Sequence, residues 1–350
     1  NFPASGCVQG LIGPLSGQGG TFSVPDSVVL RGWHESPPIV FIVTQPGIPN
    51  DLVLSTACYG PRLGRIEDQA FSAVAMGFRR LELGIADSPC ELSGWLDAHR
   101  ETGITAESVV VGALYPKKDA VSGSFLGSLD EELRDRALNL TRRHICIAQQ
   151  LGAPVVVVRG CAVEDEALTL EARALSARLE VAQLDDLDAV QVEIRDLVGR
   201  VQKLGQKQLE SFCRSLHSLR RAYPDLKLAL EPGFTFNDLL NFEAMQWVLD
   251  DLDRSRVGYW HDTGGLHSRE LAGLPGQGPW LDAFASKLRG VHLSDSTVKE
   301  QGLPPGMGDV DFQLVASYLP EAAVRVIEAN SIHGRAEILA SVNHLMSKGF

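Results

Sequence analysis

Four short apolar runs in the second half of the chain each close on a side chain that can hold a cation or carry a proton. Residues 226–231 end in Glu231, followed by Pro232 and Gly233. Residues 256–262 end in His261 and Asp262, ahead of Thr263, Gly264 and Gly265. Residues 288–294 carry His292, and residues 324–328 end in Glu328. A polar group that closes an apolar strand is costly to bury unless it is paired or bound to a metal. One such residue alone reads as a satisfied strand end. Glu231, Asp262, His292 and Glu328 on successive strands predict one shared divalent metal site. Three carboxylates and one imidazole form a hard, mainly oxygen donor set, suited to Mn2+ or Mg2+ and compatible with Co2+ or Zn2+.

The elements that would position these groups follow a rhythm. Short apolar, β-branched runs lie at 52–56, 80–84, 108–114, 154–159, 226–231, 256–262, 288–294 and 324–328. Helical spacing separates them, as in Ile66, Phe71, Val74 and Ala75, or in Leu133, Ala137, Leu140, His144 and Ile147. Alternation of this kind predicts parallel strands with helical crossovers. Eight units favour an α/β fold of the (β/α)8 TIM-barrel type over a doubly wound sheet. In such a barrel the C-terminal strand ends share one mouth, which is where the four polar residues fall.

Residues 1–50 read as an N-terminal extension, rich in Gly, Ser and Pro at its start, with a short strand at 39–43. Residues 51–350 read as the TIM-barrel catalytic domain. The connection from Arg159 to Leu226 is unusually long and predicts helices over 167–179 and 190–219. It reads as an elongated crossover with a solvated face, or as a hairpin for association or a lid. That surface is the reason to expect a homo-oligomer.

The 350 residues carry a formal charge of -12. Phosphate binding needs clustered Lys and Arg, so a nucleic-acid or anionic-membrane partner is not expected. No apolar run is long enough for a membrane span. Six cysteines without a CxxC pair read as reduced thiols in a cytoplasmic protein. Ala4-Ser5-Gly6-Cys7 lacks the apolar stretch that precedes a lipidation site and reads as a small-residue start. GxSxG and P-loop motifs are absent, and Gly17 to Gly20 lacks the flanks of a dinucleotide fingerprint.

The segments LALEPG, VGYWHDTGG, GVHLSD, LPPGMGDVDF and VIEAN, with MGFRRLELG and LGAPVVVVRG earlier, carry a resemblance. From about residue 52 onward the chain resembles the xylose-isomerase-like TIM-barrel superfamily of sugar isomerases and epimerases. The resemblance implies one divalent cation, manganese foremost, held by Glu231, Asp262, His292 and Glu328. It implies that Glu231 and Glu328 also flank the substrate carbon and move its proton. The cation would stabilise an enediolate while a carboxylate acts as base and then acid. Carboxylates on both faces would give epimerisation, and transfer within one face would give isomerisation.

Glu82, Arg159, Trp260 and His267 are the substrate-binding candidates. His261 should face away from Asp262 by strand alternation. Lys117, Lys118, Arg62 and Arg65 read as solvated charges. Gly265 and Gly302 stand where the family often has histidines. Their absence argues against the multinuclear phosphodiester hydrolases of the superfamily, and it removes a common sugar contact. The function expected is a metal-dependent sugar isomerase or epimerase acting on a small carbohydrate. A metal-dependent lyase or dehydratase on a keto-sugar, and an inactive barrel used for binding, are the alternatives.

Overall fold

Eight parallel strands close into a barrel: β1 (Leu52–Ser55), β2 (Arg80–Leu83), β3 (Thr105–Val110), β4 (Val155–Arg159), β5 (Lys227–Glu231), β6 (Val257–Asp262), β7 (Leu288–Leu293) and β8 (Val324–Ile327). β1 pairs with both β2 and β8, which completes the ring. The structure, a computed structural model, describes residues 47–115, 125–252 and 257–350. The strand expected at 39–43, nearly all of the N-terminal extension, Lys117 and Lys118 lie outside the described residues. Each of the eight expected barrel strands is present, within a few residues of its sequence bounds.

Alternation along the strands decides what faces the barrel axis. Val53, Val110, Val155, Val157, Ala229, Trp260 and Val326 form the buried cluster inside the barrel. Their neighbours, such as Val156, Val158, Leu228, Leu230 and Tyr259, pack outward beneath the helices. Two residues along from these inward positions, the same parity brings Arg159, Glu231, Asp262 and Glu328 to the mouth.

The helices are α1 (Ile66–Met76), α2 (Trp95–Thr102), α3 (Glu131–Leu151), α4 (Glu166–Val181), α5 (Leu184–Leu204), α6 (Gln206–Ala222), α7 (Phe242–Asp251), α8 (Thr263–Leu271), α9 (Gln277–Phe284), α10 (Phe312–Tyr318) and α11 (Arg335–Ser347). α3 shows why they form where they do. The Asp130 carboxylate accepts from Glu132 N at 2.8 Å and Leu133 N at 3.2 Å, and Gly152 ends the helix at φ +75°.

The long connection differs from expectation in one respect. The helix expected over 190–219 is broken at Gly205, which separates α5 from α6. A Cβ on Gly205 would lie 1.9 Å from Leu239 Cδ2 and 2.9 Å from Val201 O, so a larger residue would have to displace the Leu239 side chain. α4 and α5 form an antiparallel hairpin, pinned by ion pairs of Arg178 with Glu193 and of Arg200 with Glu171. α6 is the crossover helix and buries Leu209, Phe212, Leu216 and Leu219. After β7 a short antiparallel pair, Asp295–Ser296 with Gln301–Leu303, shapes the loop over the mouth.

Among the described residues, no helix is long and apolar enough to cross a membrane.

Candidate active site

Glu231, at the end of β5, is fully buried. Its Oε2 accepts from Arg159 Nε at 2.6 Å, and its Oε1 accepts from Arg159 Nη2 at 3.1 Å. His292, on β7, lies between two carboxylates. Its Nδ1 is 2.8 Å from Glu231 Oε1, and its Nε2 is 3.0 Å from each oxygen of Glu82. Ser108 Oγ donates to Glu82 Oε2 at 2.7 Å, which fixes that carboxylate. Glu328 follows β8, and its Oε2 accepts from Arg159 Nη2 at 2.9 Å. Asp262 ends β6 and caps α8, with Oδ1 accepting from Gly265 N at 2.5 Å.

The charges are strongly interdependent. Burial works against ionisation of Glu231, but Arg159 and His292 outweigh it and bring the carboxyl down to about 2. Burial opposes Glu328 as well, and the same two cations hold it below the usual range. Burial also disfavours a charged His292, yet Glu82, Glu231 and Glu328 raise it well above an ordinary histidine. Asp262 goes the other way. Burial, followed by repulsion from Glu231, pushes its carboxyl up to about 7.

Ligand atoms of Glu231, Asp262 and His292 lie within 4.8 Å of one another. Glu328 Oε2 is 3.5 Å from His292 Nδ1, so all four expected ligands converge. Among the described residues, four carboxylates (Glu82, Glu231, Asp262 and Glu328) face only Arg159 and His292 as cations. A divalent cation would balance that excess, and hard oxygen donors with one imidazole are the right chemistry for it. The residues present therefore fit the metal the fold family implies.

The secondary candidates separate. Glu82 and Arg159 belong to the site. Trp260 is fully buried inside the barrel and packs under His292, with ring centroids 5.1 Å apart. His267 lies on α8 with Nδ1 3.9 Å from Glu270 Oε2, outside the lining of the site cavity. His261 faces outward. Its Nδ1 accepts from Tyr259 OH at 2.9 Å and its Nε2 donates to Gln277 Oε1 at 2.7 Å. Arg62 donates to the Cys58 and Tyr59 carbonyls, and Arg65 pairs with Glu67.

Phe234, Gln301 and Asn330 escaped sequence reasoning. With Arg159, Asp262 and Glu328 they help to line a site cavity of 140 Å³. Phe234 stacks on Arg159, its ring centroid 4.9 Å from Cζ. At Gly265, where the family often has histidine, a Cβ would lie 2.5 Å from Phe234 Cε1. At Gly302, with φ +68°, a Cβ would lie 2.8 Å from Asn330 Oδ1. A ring and an amide from other loops thus crowd both positions. The signal was the pair of small residues itself, which marks close approach of another chain segment.

A parallel eight-stranded barrel with an oxygen-rich ionisable cluster at its C-terminal mouth is the architecture of a barrel enzyme site. The chain matches the profile of xylose isomerase-like TIM barrels over residues 65–340, and it belongs to that family. No curated protein matches it. Among solved structures, 3-keto-D-glucoside 4-epimerase from E. coli is similar at 15% identity and TM-score 0.56, over 85% of this chain and 100% of that one. A D-tagatose 3-epimerase-like protein is similar at 17% identity and TM-score 0.57, over 85% and 96%. The IolI protein with a bound zinc atom is similar at 12% identity and TM-score 0.55, over 85% and 95%. At these identities the likeness is one of fold.

Proposed function

We propose that this protein is a sugar isomerase or epimerase that uses one divalent cation. The observation that carries the reading is the convergence of Glu231, Asp262, His292 and Glu328, from four successive strands, at one mouth. Two of the similar structures bear the names of sugar epimerases, which agrees with a carbohydrate substrate. Mn2+ is the foremost candidate, and the zinc named in a third keeps Zn2+ in view.

Glu231, Asp262, His292 and Glu328 would hold the cation, which when bound supplies Lewis-acid polarisation of a carbonyl and stabilises developing negative charge. Glu82 fixes the imidazole of His292 through Nε2 and so orients its other nitrogen. Gly265 N does the same for the Asp262 carboxylate. Glu231 and Glu328 are held ionised, the state in which each can take a proton from the carbon next to the carbonyl. Proton return by the same carboxylate or by the other decides between isomerisation and epimerisation. Phe234 over Arg159 narrows water access from one side.

The test is elemental analysis of the purified protein combined with solvent deuterium exchange into keto-sugars. The expected result is about one divalent ion per chain and deuterium at the carbon beside the carbonyl. Glu231→Gln and His292→Ala should lose both. A protein that takes up no Mn2+ or Zn2+ and labels none of the sugars would overturn the reading.

A further inference from the structure

The site cavity is small. Its 140 Å³ falls short of the ~300–1,000 Å³ of ordinary ligand pockets. A second cavity of 880 Å³ adjoins it, and the two share Arg159 and Phe234 as walls. The far wall of the larger cavity is α4, the first helix of the hairpin. Glu166, Thr169, Arg173, Ser176 and Glu180 line it at steps of three and four residues, so they form one helical face. Leu170, Ala172 and Ala177 line the cavity beside them, and Leu168 and Leu175 bury the adjoining face. α4 therefore turns a face of mixed polar and apolar residues toward a cavity beside the barrel mouth.

The hydroxyls of this face are partly used: Thr169 Oγ1 donates to Asp165 O and accepts from Asn237 Nδ2, and Ser176 Oγ donates to Ala172 O. Among the described residues, Glu166, Arg173 and Glu180 have no ion pair or side-chain hydrogen bond. Asp238 on the near wall is already used, because its carboxylate accepts from Cys161 N and Leu240 N, both at 2.8 Å. Two carboxylates and a guanidinium without partners, at helical spacing, suit a ligand rich in neutral hydroxyl groups. The half-exposed ring of Phe234 offers an apolar surface for the flat face of a sugar ring. The charge balance excludes an anion. Glu164, Asp165, Glu166, Glu180 and Asp238 line the cavity against only Arg159 and Arg173. A phosphate or carboxylate group would meet net repulsion there.

We propose that this cavity is a subsite for a second, neutral glycosyl unit. The substrate is then a glycoside of disaccharide size. Its reacting ring enters the small cavity, and its other ring lies along α4. The hairpin serves as a specificity wall, held in place by the Arg178–Glu193 and Arg200–Glu171 pairs. The inference rests on the carbohydrate reading above and narrows its substrate class.

Isothermal titration calorimetry on the full chain tests it, with glucose, fructose, glucose 6-phosphate, sucrose, trehalose, maltose and cellobiose as probes. The expected result is that at least one disaccharide binds about ten-fold or more tightly than either monosaccharide. Arg173→Ala and Glu180→Ala should abolish that advantage while leaving monosaccharide affinity, metal content and melting temperature unchanged. Both residues lie on an open cavity wall, and neither is a candidate metal ligand. Disaccharides that bind no tighter than monosaccharides would overturn the proposal. So would glucose 6-phosphate as the tightest probe, or variants that leave disaccharide affinity intact. Metal content and deuterium exchange are read separately, so a metal-free protein that still selects disaccharides would sink only the catalytic reading.

Discussion

The guanidinium of Arg159 and the carboxylate of Glu231 meet edge to edge at the barrel mouth, with Nε 2.6 Å from Oε2 and Nη2 3.1 Å from Oε1. The same Nη2 lies 2.9 Å from Glu328 Oε2 and 3.1 Å from His292 Nδ1. One nitrogen of a permanently charged side chain therefore touches three of the four candidate metal ligands. Its own burial is a cost that Glu231 and Glu328 more than offset.

This contact sets up a competition. A divalent cation on Glu231, Asp262, His292 and Glu328 must take over contacts that Arg159 now makes. Arg159→Met is expected to bind Mn2+ about ten-fold more tightly than wild type, measured by calorimetric titration. Without metal, the same variant leaves two buried carboxylates without their cation and should lose ~3–5 kcal/mol of stability, which added metal restores. Metal affinity that falls in the variant would instead make Arg159 a support of the ligand set.

Glu82 should act on the metal through His292. Glu82→Gln removes the charge that faces Nε2 while keeping the shape of the side chain. Metal affinity is expected to fall about 10–100-fold, the usual cost of losing a partner that orients a ligand. Glu231 and Glu328 are untouched, so saturating metal should return most of the deuterium exchange. A variant with wild-type metal affinity would count against this role.

His261 predicts a pH dependence of stability separate from the site charges. Burial is the main cause that brings its imidazole down to about 4 from an ordinary value of 6.5. Gln277 takes the Nε2 proton and Tyr259 donates to Nδ1, so a second proton on the ring would reverse the Tyr259 hydrogen bond. Above pH 6.5 the ring is neutral both folded and unfolded and costs nothing. As pH falls from 6.5 through 4 the unfolded chain binds the extra proton first, and about 3 kcal/mol of stability is lost. Denaturant titrations from pH 4 to 7 should show this slope in wild type and a shallower one in His261→Asn. Equal slopes would remove His261 as its source.

Gly290→Ala should disturb the site from below. A Cβ there would lie 2.4 Å from Trp260 Cζ3, and Trp260 in turn packs on His292. The barrel interior has no slack, so the cost is about 1–3 kcal/mol, read as a lower melting temperature. Metal affinity should fall with it, because the displaced indole presses on the imidazole. Unchanged metal affinity in a folded variant would show that the indole moves elsewhere.

Much of the barrel was readable from the chain alone because its signals are local. β-branched runs such as Val155 to Val158 favour strands that are buried on both faces, and helical spacing between them leaves few topologies. Strand parity then places Asp262 with Trp260 and Glu231 with Ala229 on the inner side. The break at Gly205 was missed in the helix expected over 190–219, because what packs against that position is Leu239, on a loop far along the sequence. The occupants of the Gly265 and Gly302 positions were hidden in the same way.

The sequence by itself determined the eight strands, their inward parity and the convergence of Glu231, Asp262, His292 and Glu328, since each follows from periodicity and strand direction. Only the tertiary structure decided what Arg159 does. Its partners Glu231, His292 and Glu328 lie 72, 133 and 169 residues away along the chain. Closing the barrel brings them within hydrogen-bond reach, and the energy of a buried ion cluster depends on distances that no local pattern encodes.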